Sequence, residues 1–404
     1  MLAAACGGDS GSGSSGSTAS ADTSIPGEKN AATGTPVKVG VFNVEGGSAV
    51  SLPDVGDAAV AAADYANAYL GGLGGHKIEI VRCGDKADGA SAAACGNTFV
   101  QEGVVAVVAG QPATADQLVP VVKGAGIPYF GSSPSASSEL GNENAFFFSS
   151  GFIGILGAQA VYSAEQGYKN VTMFGAENPQ LVGAVNALGK PLFKAQGVNL
   201  ELVTVPQGTA DATSQITAGL TSKPDAVSVV ADTTVCQSVL AALQTVGSTA
   251  PKYINSSCVA QPVLDAVGES GIDGAVLFNN GDMRGNNEEA KLYRAIMKEY
   301  APDSEASGIS PTGYLSMLGF IRAVNAGDLG KGDVTPQAIS TAVKAAVGVP
   351  LPIGGGKTMS CDASQIKSPA IKATICSGFV FATKYAGLEP GAYEAVDAAK
   401  AFVG

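Results

Sequence analysis

The sequence predicts an α/β protein made of two doubly wound parallel-sheet lobes joined by a multi-strand hinge. Three observations point there. Short, nearly continuous apolar runs rich in Val, Ile and Phe alternate with Ala-rich stretches of helical length. Strands apolar on both faces belong to parallel sheets covered by helices on both sides. The alternation occurs twice in tandem, and a body of roughly 370 residues exceeds one ordinary core and suits two domains.

The first series places strands at 37–42, 78–82, 104–109, 127–130 and 146–148, with helices at 54–70, 89–101 and 114–124. The second places strands at 171–174, 200–205, 226–230, 252–254 and 275–278, with helices at 154–166, 180–196, 211–221 and 234–246. Beyond 280 the rhythm changes to helices at 286–300 and 310–326. In the latter, Tyr314, Met317, Leu318, Ile321 and Val324 recur at helical spacing, the signature of a core-facing stripe. A helix at 335–347 precedes a Pro/Gly break at 349–356, and the segment 361–376 leads into a last strand at 378–383. Crossings near 150, 279 and 349 then give one lobe of 37–150 plus 280–348 and a second of 151–279 plus 349–385. Residues 386–404 read as a C-terminal tail.

Besides Cys6, the cysteines form three close pairs: Cys83 with Cys95, Cys236 with Cys258, and Cys361 with Cys376. An even remainder fits disulfides, each closing a short loop worth about 3 kcal/mol in the chain-entropy picture. Oxidised cysteines place the body outside the cytosol. No C-x-x-C occurs, and the single histidine, His76, stands in a Gly-rich turn where it reads as a solvated loop residue. Neither metal nor cofactor is expected.

Cys6 directly follows Met1-Leu2-Ala3-Ala4-Ala5 and precedes a tract of Gly, Ser, Thr and Ala. Small residues ending in Cys finish bacterial lipoprotein signals, in which the Cys sulfur receives the lipid. A complete signal carries a basic region and an apolar core before that point, so the start reads as truncated. The polar tract through residue 36 is expected to be a flexible linker spanning roughly 30 Å.

Net charge is −12, with 14% charged residues. Nucleic acid and anionic headgroups require Lys and Arg clusters, which this composition does not supply. No eighteen-residue apolar run exists to span a bilayer. Small solutes and other proteins are left as partners. Gly110-Gln111-Pro112-Ala113-Thr114 turns from a strand into a helix, where N–H groups at the helix start and a hydroxyl suit a carboxylate. Ser135, Ala136 and Ser137 follow a second strand end and add further donors.

Gly126-Ile127-Pro128-Tyr129-Phe130, followed by the run from Ser133-Pro134-Ser135-Ala136-Ser137-Ser138 to Glu139-Leu140, resembles a signature of type I periplasmic binding proteins. The branch concerned is that of the leucine/isoleucine/valine receptors of ABC importers. Gly110, the Gly71 to Gly75 cluster, Gly313-Tyr314 and the Cys83/Cys95 pair are similar as well, and the resemblance covers 37 to about 385. It implies that Thr114, Ser135, Ala136 and Ser137 hold a ligand carboxylate. By strand counting it places the family's aromatic contact at Asp232-Thr233-Thr234 and its acid for an α-ammonium near Asn255-Ser256-Ser257. No carboxylate stands at the latter, so Asp232 or Glu177 is the candidate counter-charge, an unpaired buried charge being costly.

Gly356-Lys357-Thr358 lacks the first Gly of a phosphate loop, Leu351 standing in its place. Gly8-Asp9-Ser10-Gly11 lies in the tail with His76 as the sole possible base, and Glu288-Glu289 shares its predicted helix with Lys291 and Arg294 as solvated charge. The expectation is a monomeric, lipid-anchored, non-enzymatic receptor. Its lobes close over an amino-acid-like or carboxylate solute for an ABC permease, with Gln111, Thr114, Ser135, Ala136, Ser137, Glu177, Asp232, Thr233, Asn255 and Ser257 as ligand residues. A sensor for a signalling partner and a secreted α/β enzyme are the alternatives.

Overall fold

In the computed structural model, which describes residues 25–48, 50–283, 286–329, 333–369 and 371–402, the apolar runs become the strands of two separate sheets. β1 (Gly34–Asn43), β2 (His76–Gly84), β3 (Ala106–Ala109), β4 (Tyr129–Gly131) and β5 (Ala145–Phe147) form most of the first. β6 (Asn170–Ala176), β7 (Asn199–Val205), β8 (Ala226–Val230), β9 (Lys252–Ile254) and β10 (Val276–Asn279) form most of the second. A ribbon of β11 (Val349–Pro350) and β12 (Thr358–Met359) follows. β13 (Thr374–Ile375) then joins the first sheet, while β14 (Phe379–Ala386) and β15 (Glu389–Asp397) join the second.

The first sheet runs β13-β5-β4-β3-β1-β2, all parallel. The second runs β15-β14-β10-β9-β8-β6-β7, parallel except for β14 and β15. Strand order reverses at β1/β3 in one and at β6/β8 in the other. A crevice outside the carboxyl ends of the strands at such a reversal is where open α/β sheets take ligands.

Helices α1 (Pro53–Tyr69), α2 (Gly89–Glu102), α3 (Ala115–Gly124) and the short α4 (Ser137–Leu140) accompany the first series. The second has α5 (Gly151–Glu165), α6 (Pro179–Ala184), α7 (Lys190–Ala195), α8 (Thr213–Leu220), α9 (Thr233–Thr245) and α10 (Gln261–Ile272). The single helix predicted over 180–196 is α6 and α7 joined by a π turn at Val185–Gly189. α10 escapes the sequence reading because Gly268, at φ +61°, interrupts its periodicity.

α11 (Glu288–Tyr300), α12 (Pro311–Ala326) and α13 (Pro336–Ala345) return to the first lobe. The expected stripe of α12, Tyr314 through Val324, is fully buried against Val41, Phe130 and Phe148. Gly313 permits the close crossing with α1, since a Cβ there would lie 1.9 Å from the Val55 carbonyl oxygen. Gly151, at φ +58°, makes the first crossing, where a Cβ would stand 2.6 Å from that of Ser133. The three expected disulfides are the three that form.

Four expectations need correction. The third crossing falls after Cys376, not near 349: Val349, Leu351, Ile353, Met359 and Cys361 bury in the first core, and β13 pairs with β5. Apolar residues next to a Pro/Gly turn close the first lobe before the chain leaves it. The segment 386–404 is not a tail over its described length, because β15 pairs with β14 and Ala398 and Ala401 are buried in the second core. Its Pro390, Gly391 and alternating acids hide an edge strand. Residues 25–36 dock on the body, with Ile25 packed against the first core and Ala32 donating its N–H to the Asn67 carbonyl. His76 opens β2, half-buried, and its Nδ1 pairs with the Thr35 carbonyl at 2.7 Å. Cys6 and the Gly8 to Gly11 tract lie outside the described residues.

Candidate functional site

At the first reversal the loops after β1 and β3 are tied together by Asn43, fully buried at the end of β1. Its Nδ2 donates to the Leu52 carbonyl (2.6 Å) and Glu45 Oε1 (2.9 Å), while its Oδ1 accepts the Gln111 N–H (2.9 Å). The turn into α3 leaves N–H groups that a buried edge must satisfy. Asp85, fully buried one residue beyond β2, does so: Oδ2 accepts from Ala113 N (2.7 Å), Thr114 N (2.9 Å) and Thr114 Oγ1 (3.0 Å), and Oδ1 from Ala87 N (2.8 Å).

The turn into α4 repeats the device. Glu139 Oε2 accepts from Ser135 N (2.6 Å), Ser135 Oγ (3.1 Å) and Ala136 N (2.8 Å), and Oε1 from the Tyr129 hydroxyl (2.6 Å). Burial pushes the Glu139 carboxyl above its ordinary range, partly offset by these donors, and holds the Tyr129 phenol well above its own. The donors expected at Thr114, Ser135 and Ala136 to receive a ligand carboxylate are therefore engaged by the chain's own carboxylates. The sequence carried a signal for this, because Glu139 sits at capping-box spacing from Ala136.

Ser137 is exposed and its hydroxyl bonds to nothing among the described residues; the Gln111 side-chain amide, half-buried, is likewise unengaged. These two polar side chains beside the first reversal are left unengaged among the described residues.

The second reversal is built differently. Glu177 follows β6, is exposed, and donates its N–H to the Val205 carbonyl at 2.7 Å. Asn178 caps α6 through Gln180 N (2.8 Å) and Leu181 N (3.2 Å). Asp232, exposed after β8, caps α9 through Val235 N (3.0 Å), with Thr233 half-buried beside it. Asn255 donates Nδ2 to the Ala231 carbonyl (2.9 Å), which ties the ends of β8 and β9 together. The Cys236–Cys258 bridge lies against its Oδ1 and anchors the 3-10 turn carrying Ser257. Glu177, Asp232, Thr233, Asn255 and Ser257 thus all border the carboxyl edge of the second sheet.

Two crossing residues add groups that the sequence did not single out. Ser150 Oγ and Asn280 Oδ1, where the chain passes between lobes, are buried without a hydrogen-bond partner among the described residues. Among the described residues no His/Cys/Asp/Glu cluster suits a metal, and no helix is long and apolar enough to cross a membrane. Glu288 pairs with Lys291 and Glu289 with Arg322, a structural use of that acid pair.

Comparison with known proteins matches this architecture. The chain is similar to a putative branched-chain amino acid ABC transporter from Rhodospirillum rubrum, at 16% identity over 88% of this chain and 99% of that one, TM-score 0.70. It is similar to a fatty acid ABC transporter substrate-binding protein from Thermomonospora curvata, at 16% identity over 93% and 96%, TM-score 0.64. A third likeness is LivJ, the branched-chain amino acid transporter substrate-binding protein of Streptococcus pneumoniae, in complex with isoleucine. There the identity is 16% over 90% and 99%, TM-score 0.61. At these identities the likeness speaks for the fold. No curated protein matches the sequence. The family model described as Periplasmic binding protein matches residues 36–375, from within β1 through β13. With both sheets and both reversals in place, the chain belongs to the periplasmic binding protein family, whose members are extracytoplasmic solute-binding receptors.

Proposed function

We propose that the protein is a membrane-tethered receptor that delivers an amino-acid-like zwitterion to an ABC permease, with Cys6 as the lipid anchor. The family match over 36–375 is the observation that supports the receptor part of this reading, and the small-residue run ending in Cys6 supports the anchor. The chemistry of the crevice narrows the ligand. Glu177 and Asp232 present exposed carboxylates from the second lobe, a suitable partner for an α-ammonium. On the first lobe the Ser137 hydroxyl and the Gln111 amide are the groups left to receive a carboxylate, because Asp85 and Glu139 hold the neighbouring amides. A neutral or zwitterionic solute suits these edges better than a dianion. The lone histidine is bonded to Thr35 far from either reversal, which supports binding rather than triad chemistry.

A thermal-shift panel of amino acids, amides, hydroxy acids and fatty acids tests the class. A cognate solute at 100 times its Kd adds about 2.7 kcal/mol of stability. If fatty acids shift the transition and no amino acid does, the zwitterion reading fails. Mass analysis of the membrane-bound form tests the anchor, with a diacylglyceryl group on Cys6 expected.

A further inference from the structure

A cavity of about 280 Å³ opens at the amino edge of the second sheet, the opposite edge from the crevice. Tyr162, Tyr168 and Tyr253 wall it, and Lys252, Lys384 and Asp273 supply its charge. Tyr253 is fully buried and braced: its hydroxyl pairs with Ser163 Oγ at 3.0 Å, and its ring packs edge-on against Tyr162 and Phe278. The wall is therefore rigid and aromatic.

Lys252 enters from β9, half-buried, with no ion-pair or hydrogen-bond partner among the described residues. Loss of water around the ammonium lowers its pKa, and the Asp273 carboxylate opposes that. Asp273 spends one oxygen on the Gly387 N–H (2.8 Å), Lys384 is exposed on β14, and Glu394 lies near Tyr162. The carboxyl ends of α5 and α9 also face this edge and would attract cations. Their last carbonyls are already engaged by glycine turns, Gly167 N to Ala164 and Tyr168 N to Ser163, Gly247 N to Gln244 and Ser248 N to Leu243. The Tyr162 and Tyr168 hydroxyls make no hydrogen bond among the described residues.

A half-buried ammonium that makes no close ion pair and is opposed across the cavity only by the Asp273 carboxylate, between aromatic walls and with tyrosine hydroxyls to spare, can take one more anion. We infer that this cavity is a second ligand site, separate from the crevice, for a small carboxylate with an aromatic or aliphatic body. Its volume lies just under the usual range for small-molecule sites, which sets the size near that of benzoate.

The test is a titration of the full chain carrying ¹³C-labelled tyrosine with benzoate and, separately, with benzamide. Tyr162→Phe and Tyr168→Phe spectra assign the two rings. Benzoate is expected to shift both signals saturably, benzamide at least about tenfold more weakly, and Lys252→Met to weaken benzoate by a similar factor, about 1.4 kcal/mol. Benzoate leaving both rings unshifted, or binding no better than benzamide, overturns the inference. That comparison uses the unaltered protein and holds whether or not the Lys252 variant folds.

Discussion

The first lobe fixes its crevice edge with buried carboxylates, Asp85 and Glu139, each gathering four donors from the loops it faces. The second lobe fixes the equivalent edge with exposed caps, Asn178 and Asp232, and with a disulfide behind Asn255. Both edges satisfy the same orphan amides of helix starts, but one spends buried charge and the other leaves its acids in reach of solvent. The first is set before any solute arrives; the second keeps charge available for one. An edge that is ordered beforehand loses less conformational entropy when a solute binds to it.

Glu139→Ala breaks the comparison hardest. It strands the Ser135 and Ala136 amides and the Tyr129 hydroxyl, and the expected loss is about 4 kcal/mol, read by denaturant unfolding. Titration adds a signature. The carboxyl is raised in the fold, so its contribution is fully present below about 4.5, its ordinary value, and is lost as pH rises through the raised one. Glu139→Gln removes that segment of the pH–stability curve. A Gln variant that keeps the wild-type slope above 4.5 would assign the slope to another group.

Replacing Cys236 and Cys258 together with Ala tests the second lobe's brace. The bridge spans 22 residues and its removal is expected to cost about 3 kcal/mol. Solute affinity should fall with it, because the turn bearing Ser257 loses its anchor. Unfolding with unchanged affinity in the surviving native fraction would mean that the brace serves stability alone. Asp232→Ala follows at about 1 kcal/mol, the ordinary worth of a helix cap. Its affinity loss is expected to exceed that where the solute bears an ammonium. Asp232→Asn keeps the cap and separates the two effects.

What the sequence disclosed follows the same division. Continuous apolar runs and Ala-rich helices wrote both sheets legibly, and cysteine spacing wrote all three bridges. Gln111 and Thr114 fall at one strand-order reversal, and Glu177 and Asp232 at the other. The occupancy of the donors was not legible. Asp85 lies 28 residues from Ala113 in the chain, and only the pairing of β1 with both β2 and β3 carries its carboxylate to that turn. The lobe boundary after Cys376 was hidden for a similar reason, since the two-residue β13 shows its allegiance only through its partner β5.

Ser137 sharpens the contrast at the smallest scale. Its neighbours Ser135 and Ala136 are bound to Glu139, yet Ser137 is exposed and its own hydroxyl is unbonded among the described residues. Ser137→Ala should therefore leave the stability of the solute-free protein within about 0.5 kcal/mol, as for a surface position with no structural duty. If that hydroxyl donates to a bound carboxylate, affinity for the solute found in the thermal-shift panel falls by about 1 kcal/mol, roughly fivefold. Thr114→Val is the matched control, because its hydroxyl serves Asp85 and its loss should register in stability before affinity. A reversal of that order, with Thr114→Val silent in unfolding and Ser137→Ala destabilising, would mean that Asp85 does not hold the turn into α3.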